Sequence, residues 1–301
     1  MIMVQCRPVS YQWLMISLLL LILFSPSYAV AESIDAQVKH SSSSAEQRIV
    51  SLGLCTDRML AYFADPNDVL ALSPLFYRYP VKSFGDKWPT HNGRLESILA
   101  LDPDLVIAGE YNAITMRQRL KSLGYEVKVF SLPSNLQKLA DYQMAFKAMI
   151  GLSATSKIAS SSAFSEVAHS PLRSLSRQMP VSHAGKVPRL LLLGANGIGK
   201  GISTLEHQII QAAGWQNYLS GQGHIALRLE AMVMQPPDAI LATSYGGNAL
   251  AQSFMKHPVL TELVRAEHWL DMDDWRWQCG GPWTESLIAD LLKERQRLFG
   301  E

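Results

Sequence analysis

Two well-separated stretches of this chain repeat each other without a gap, and this echo limits the fold more than any single motif does. Leu95-Glu-Ser-Ile-Leu-Ala-Leu-Asp-Pro-Asp-Leu-Val-Ile-Ala108 aligns with Leu229-Glu-Ala-Met-Val-Met-Gln-Pro-Pro-Asp-Ala-Ile-Leu-Ala242, matching at the Leu-Glu pair, the Pro-Asp pair and the last Ala. Each copy reads as a short helix stopped by proline and followed at once by a buried strand. The openings Arg48…Leu52-Gly53 and Arg189…Leu193-Gly194 echo each other too. Such a pattern implies a duplicated lobe with a cleft between the copies.

The surrounding pattern fits two α/β lobes. Strand-like runs at 48–53, 69–73, 104–109 and 126–131 alternate with helical stretches at 56–64, 93–101 and 112–123. The alternation resumes with strands at 189–194, 239–243 and 268–273 among helical stretches at 204–213, 229–235, 249–265 and 283–299. Alternation of this kind predicts mostly parallel sheets covered by helices. Between them, 135–179 holds no strand-like run and predicts two helices broken near Gly151. The expected domains are therefore an N-terminal α/β lobe (48–133), a helical segment (134–186) and a C-terminal α/β lobe (187–301). A chain of 301 residues, 48% of them hydrophobic, is long enough for two such lobes.

Ahead of them, Arg7, the apolar run Leu14–Phe24 and Ala29-Val30-Ala31 have the form of a secretory signal peptide, expected at 1–31 with cleavage after Ala31. The apolar run is short for a membrane span, which needs about 20 residues. Polar residues 32–47, ending near Ser41-Ser-Ser-Ser44, predict a flexible leader. An exported chain, lying outside the cytoplasm, follows from this reading. A formal charge of +1, with Lys+Arg 27 against Asp+Glu 26, gives no basic excess for a nucleic-acid partner. Cys6 leaves with the signal peptide, so Cys55 and Cys279 remain, either paired or as two separate buried thiols.

The segments Arg48-Ile-Val-Ser-Leu, Trp88…Asn92…Leu95-Glu96…Ala100-Leu101-Asp-Pro-Asp-Leu-Val-Ile107, Leu123-Gly-Tyr-Glu-Val127, Gly199-Lys-Gly…Thr204-Leu…Ala213-Gly-Trp-Gln-Asn217, and then Leu229-Glu230 with Pro237-Asp238 follow one another along the chain. Together and in this order they resemble the periplasmic binding proteins for iron–siderophore complexes and cobalamin. The resemblance runs from about Arg48 to the C-terminus. It implies a periplasmic location, two Rossmann-like lobes joined by a long bridging helix, a ligand cleft between the lobes, no enzymatic activity and no resident cofactor. The implied partners are a metal-chelate small molecule and an ABC permease dimer in the inner membrane, with the receptor itself a monomer. A helical bridge is stiffer than a strand hinge, so small lobe closure is expected.

The same resemblance places permease docking on Glu96 and Glu230, which the internal echo makes equivalent. Ligand contacts are expected from loops at the facing ends of the lobes. These loops supply the candidates Tyr77, Arg78, Trp88, His224, Trp275, Arg276 and Trp277, since aromatic faces with a few donors suit a large amphipathic chelate. Two tryptophans as close as Trp275 and Trp277 are hard to bury together. The sequence lacks the tryptophan expected near His224 in cobalamin-binding members and adds Cys55 and Cys279-Gly-Gly-Pro282, which leaves a ferric siderophore, a corrinoid and haem all open as ligands.

Other classes fit less well. Gly194-Ala-Asn-Gly-Ile-Gly-Lys200-Gly201 nearly spells a phosphate-binding loop, but Gly201 stands where the Mg²⁺-holding hydroxyl belongs. The glycines are expected to bring backbone close to ligand or to turn tightly. A secreted hydrolase has Ser, His and Asp to draw on but no G-x-S-x-G. A bare-metal receptor would need His91, His224, His257 or His268, which are scattered, and no C-x-x-C or H-E-x-x-H pattern occurs.

Overall fold

The computed structural model describes residues 47–151, 187–243, 250–272 and 275–300. In the N-terminal part, β1 (Ile49–Ser51), α1 (Leu54–Phe63), β2 (Val69–Ala71), α2 (Leu75–Arg78), α3 (Leu95–Leu99), β3 (Leu105–Gly109), α4 (Ile114–Ser122) and β4 (Val127–Phe130) build a four-stranded sheet of order β2-β1-β3-β4. All its pairings are parallel. Helix α5 (Leu136–Met149) follows, started by Asn135, whose side chain accepts from Lys138 N–H at 2.7 Å. A second helix expected beyond Gly151 lies outside the described residues.

The C-terminal part contains β5 (Arg189–Leu193), β6 (Ile198–Lys200), α6 (Leu205–Ala212), β7 (Gln216–Asn217), β8 (His224–Ala226), α7 (Leu229–Met234), β9 (Ala239–Ala242), α8 (Pro258–Leu263), β10 (Trp269–Leu270), α9 (Trp275–Gln278) and α10 (Thr284–Phe299). The sheet runs β10-β9-β5-β6-β8, with β7 also on β5. Strands β10, β9, β5 and β7 are parallel, while β6 and β8 add an antiparallel edge. Helix α10 ends at Gly300, whose φ of 49° suits a glycine stop.

The sequence echo is repeated bond for bond. Ile49 pairs with Leu105 in the first sheet and Leu190 with Ala239 in the second, each one residue past the matched Arg and Asp. The Asp104 carboxylate accepts from Arg48 N–H at 3.0 Å, and that of Asp238 from Arg189 N–H at 2.7 Å. Each arginine's guanidinium then caps the proline turn, donating to Leu101 C=O at 2.5 Å and to Pro236 C=O at 2.6 Å. Ile98 and Met232, at matching positions of α3 and α7, are both buried.

Strands β6, β7 and β8 were not legible in the sequence, because they are only two or three residues long, too short to show alternation, and β6 has a glycine at its centre. At Gly201 an added Cβ would lie 2.0 Å from Gly221 C=O, so two backbone segments cross where only glycine fits. The glycines of the phosphate-loop look-alike thus serve contacts within the protein: Gly197 lies against Phe254 and Gly199 against Leu219. The single helical stretch expected over 249–265 is instead a 3-10 segment, Leu250–Lys256, followed by α8, because Pro258 restarts the helix at its first position.

One buried apolar cluster runs through both parts, from Met59, Phe63 and Ile107 through Phe146 to Leu192, Ile209, Trp215 and Leu287. The two lobes therefore share packing rather than sitting as separate bodies. No helix among the described residues is long and apolar enough to cross a membrane.

Candidate functional site

Helix α1 begins just beyond the carboxyl end of β1, and α9 lies just beyond that of β10. Cys55 in the first turn of α1 forms a disulfide with Cys279, which directly follows α9, with a Cα–Cα distance of 5.3 Å. Arg58 supports the same junction: its Nη1 donates to Trp275 C=O at 3.0 Å, and its guanidinium lies 5.5 Å from the centre of the Trp275 ring. These ties bring the carboxyl ends of the two sheets to a common boundary, the usual place for ligands in open α/β sheets.

A chain of aromatic contacts crosses this boundary. Tyr77 meets Phe76 at 5.4 Å between ring centres, and Phe76 meets Phe84 at 6.5 Å. Phe84 in turn meets Trp275 at 5.5 Å and Trp283 at 5.8 Å. The Tyr77 hydroxyl lies 2.7 Å from Asp86 C=O and 2.6 Å from Trp88 C=O, and Trp88 donates its indole N–H to Phe84 C=O at 2.9 Å. Tyr77, Trp88 and Trp275 are thus brought into one neighbourhood by Phe84, with Tyr77 41% exposed and the other two part-buried.

The remaining candidates separate. Trp277 is only 7% exposed and belongs to the core, while Trp275 stays part-buried, so the two are not buried together. The segment is a helical turn, in which residues two apart point different ways, so Trp277 turns inward while Trp275 packs on Phe84 and Trp283. Arg276 turns onto α10, donating to Asp290 at 2.8 Å and Ser286 at 3.2 Å. Arg78 is exposed with its guanidinium 6.0 Å from the Tyr79 ring. His224 is exposed on β8, where its Nε2 meets Lys200 Nζ; Lys200 also pairs with Glu206 at 3.5 Å.

Beneath the boundary is a buried polar network that the sequence did not signal. The Asp57 carboxylate accepts from Ser73 N–H at 2.9 Å and from the Ser73 hydroxyl at 2.5 Å. Burial pushes the Asp57 carboxyl up to about 7, against the lowering pull of hydrogen bonds from Ser51 and Ser73 and of the Arg58 charge. An unfolded Asp titrates near 3.9, so between about pH 4 and about pH 7 the folded state holds the extra proton and stability falls as pH rises. Asp57→Asn, which cannot ionise, is expected to remove a decline on the order of 4 kcal/mol across that window. Denaturant unfolding of both proteins from about pH 4 to about pH 8 checks this, and a flat wild-type profile contradicts it.

The histidines His91, His257 and His268 make structural bonds. His91 is buried, with Nε2 at 2.9 Å from Ser51 C=O and Nδ1 accepting from Gly93 N–H at 3.0 Å. Both nitrogens are spent on backbone, and burial lowers its pKa, so it is a neutral structural histidine rather than a base for a serine. His257 Nδ1 caps α8 through Val259 N–H, and His268 Nδ1 donates to Asp238 C=O. Among the described residues no group of three or more His, Cys, Asp or Glu is placed to hold a metal ion.

No protein-family model matches the sequence, and no curated protein matches it. Solved structures do match by shape. A periplasmic haem-binding protein from Pseudomonas aeruginosa is 18% identical with a TM-score of 0.62, covering 84% of this chain and 92% of that one. The periplasmic haem-binding protein HutB of Vibrio cholerae is 19% identical at a TM-score of 0.59, covering 84% and 97%. CeuE of Helicobacter pylori, in a Ni-His complex, is 16% identical at 0.57 and covers 83% of each chain. This chain has the two-lobed periplasmic binding protein fold.

Within the periplasmic binding protein fold, Glu96 and Glu230 lie at matching positions on α3 and α7, both exposed. Tyr111, 74% exposed and two residues past the carboxyl end of β3, joins the candidates for the ligand surface. The rule that ligands meet strand carboxyl ends, applied to β3, would have found it. Nearby, the side chain of Asn112 fills the space at Gly53 and Gly109, where a Cβ would come within 2.8 and 2.5 Å of its Oδ1.

Proposed function

We propose that this protein is the extracytoplasmic substrate-binding protein of an ABC importer, capturing a bulky metal chelate at the boundary of its lobes and delivering it to a permease dimer in the inner membrane. The observation that carries this reading is the equivalence of the exposed Glu96 and Glu230, set on matching helices by matching Arg–Asp turns. A two-fold permease requires two such equivalent contacts. The likeness in fold to proteins described as binding haem or as a Ni-His complex supports a chelated metal as cargo. A ferric siderophore or a corrinoid has the same broad chemistry, with haem the main alternative.

In this reading the chain is exported by a signal peptide cut near Ala31, works as a periplasmic monomer without a resident cofactor, and has lobes at 48–133 and 187–301 around a helical segment at 134–186. Tyr77, Trp88 and Trp275 offer ring surface to the ligand, with Tyr111 added; the exposed Arg78 and His224 contribute charge or donors at its rim, and Arg276 does so only by exchanging its bonds to Asp290 and Ser286 for the ligand. Trp277 supports the surface from within the core.

Trp88 carries the most direct test. Its indole N–H is already bonded to Phe84 C=O, so its part in binding is ring contact alone. Trp88→Ala is expected to weaken chelate binding by about 1–3 kcal/mol, measured by calorimetric titration of wild type and variant. Unchanged affinity removes Trp88 from the ligand surface.

A further inference from the structure

The lobe boundary contains a pairing of two stripes that the transport reading does not use. On α1, Cys55, Arg58 and Tyr62 are spaced three and four residues apart and share one face of the helix. Across from them, Trp275, Cys279 and Trp283 are spaced four apart in the segment running from α9 into α10. They meet in three pairs: Cys55 is bonded to Cys279, Arg58 holds Trp275 through its carbonyl and ring, and Tyr62 meets Trp283 edge-on at 6.2 Å. Phe84 wedges against both tryptophans from the N-terminal side. Trp283 also donates its indole N–H to Cys279 C=O at 2.6 Å, which fixes the segment carrying the cysteine. The covalent bond lies within a contact that joins the lobes, and it connects residues separated by 224 positions.

We infer that the Cys55–Cys279 disulfide is an interlobe lock, which holds the carboxyl ends of the two sheets at one spacing and which thiol reductants open. A receptor locked in this way meets its ligand with a preset gap instead of closing around it. Opening is ordinary thiol–disulfide exchange. A reductant thiolate attacks Sγ of Cys55, the less buried partner, forming a mixed disulfide as the S–S bond breaks. The electron pair leaves on Sγ of Cys279, which lies 3.8 Å from Arg58 Nη1, where a guanidinium favours a thiolate. A second reductant thiolate resolves the mixed disulfide. Two thiols are thereby oxidised to one disulfide, and the cysteine pair takes up two electrons and two protons.

Hydrogen–deuterium exchange read by mass spectrometry tests the lock without any ligand, so its outcome is independent of the transport reading. The oxidised protein, the folded protein after dithiothreitol treatment and Cys55→Ser/Cys279→Ser are compared, with free thiols counted by alkylation. Exchange in 54–63 and 275–283 is expected to speed up about tenfold or more in both reduced forms, while β3 and β9 keep their protection. Unchanged exchange in those segments, with both thiols free, overturns the lock, because the noncovalent stripe then holds alone. Equal acceleration in β3 and β9 also overturns it, because the bond is then a general stability crosslink. Reduction of the already folded protein keeps the test decisive if the double variant fails to fold.

Discussion

Replacing both Glu96 and Glu230 by alanine is expected to abolish chelate uptake in cells while leaving the purified protein's ligand affinity intact. Each carboxylate is exposed in the first turn of its own short helix, outside the aromatic contacts that cross the lobe boundary. Carboxylate–guanidinium pairs are charge-assisted and often bidentate, so they fix orientation as well as adding attraction. Truncating one member of a desolvated interface pair costs about 2–5 kcal/mol, much of it from the partner left unpaired. In the proposed docking both contacts form on one receptor, so losing one also forfeits the effective concentration it gives the other. Single variants are therefore expected to be severely impaired and the double variant inactive, as read by uptake of labelled chelate. Lost ligand binding in both single variants would instead put the carboxylates in the pocket and remove the docking role.

The largest stability effect is expected at Trp283. Its side chain is buried, contacts Tyr62, Phe84 and Trp275, and bonds Cys279 C=O through its indole N–H. Trp283→Ala removes a large apolar volume at a site crowded by Gly281, where an added Cβ would lie 2.4 Å from the indole. The neighbouring disulfide limits collapse around the resulting space, so a loss of about 3–5 kcal/mol is expected in urea unfolding of the oxidised protein. A loss below about 1 kcal/mol would show that the junction repacks freely and that the aromatic chain adds little to holding the lobes.

The sequence made the lobes legible where the signal was periodic and duplicated. The Pro-Asp pairs of the echo became Asp104 and Asp238, each receiving the backbone N–H of an arginine at the start of the neighbouring strand. That bond explains why the arginines recur as well as the proline turns. Local pattern failed where structure depends on contacts distant in sequence. The short antiparallel strands β6 and β8 lie beside glycines that let one backbone approach another, which leaves no alternation to read. Trp277 looked exposed because its segment was read as a loop, whereas one helical turn sends it into the core. Nothing in the local sequence around Asp57 and Arg58 announces burial, yet both are buried at a boundary assembled from opposite ends of the chain. For the candidate surface, residue type pointed to Tyr77, Trp88 and Trp275, but only the fold links them through Phe84 and adds Tyr111.

The central claim, that this is a receptor for a metal chelate, is tested most directly by titrating the mature oxidised protein with haem, a ferric hydroxamate, a ferric catecholate and cobalamin. Tryptophan fluorescence is followed, with each ligand's own absorbance corrected. Because Trp88, Trp275 and Trp283 lie in or beside the proposed surface, saturable quenching by one chelate at about micromolar concentration or below is the predicted result. No saturable response to any of the four would contradict the receptor reading.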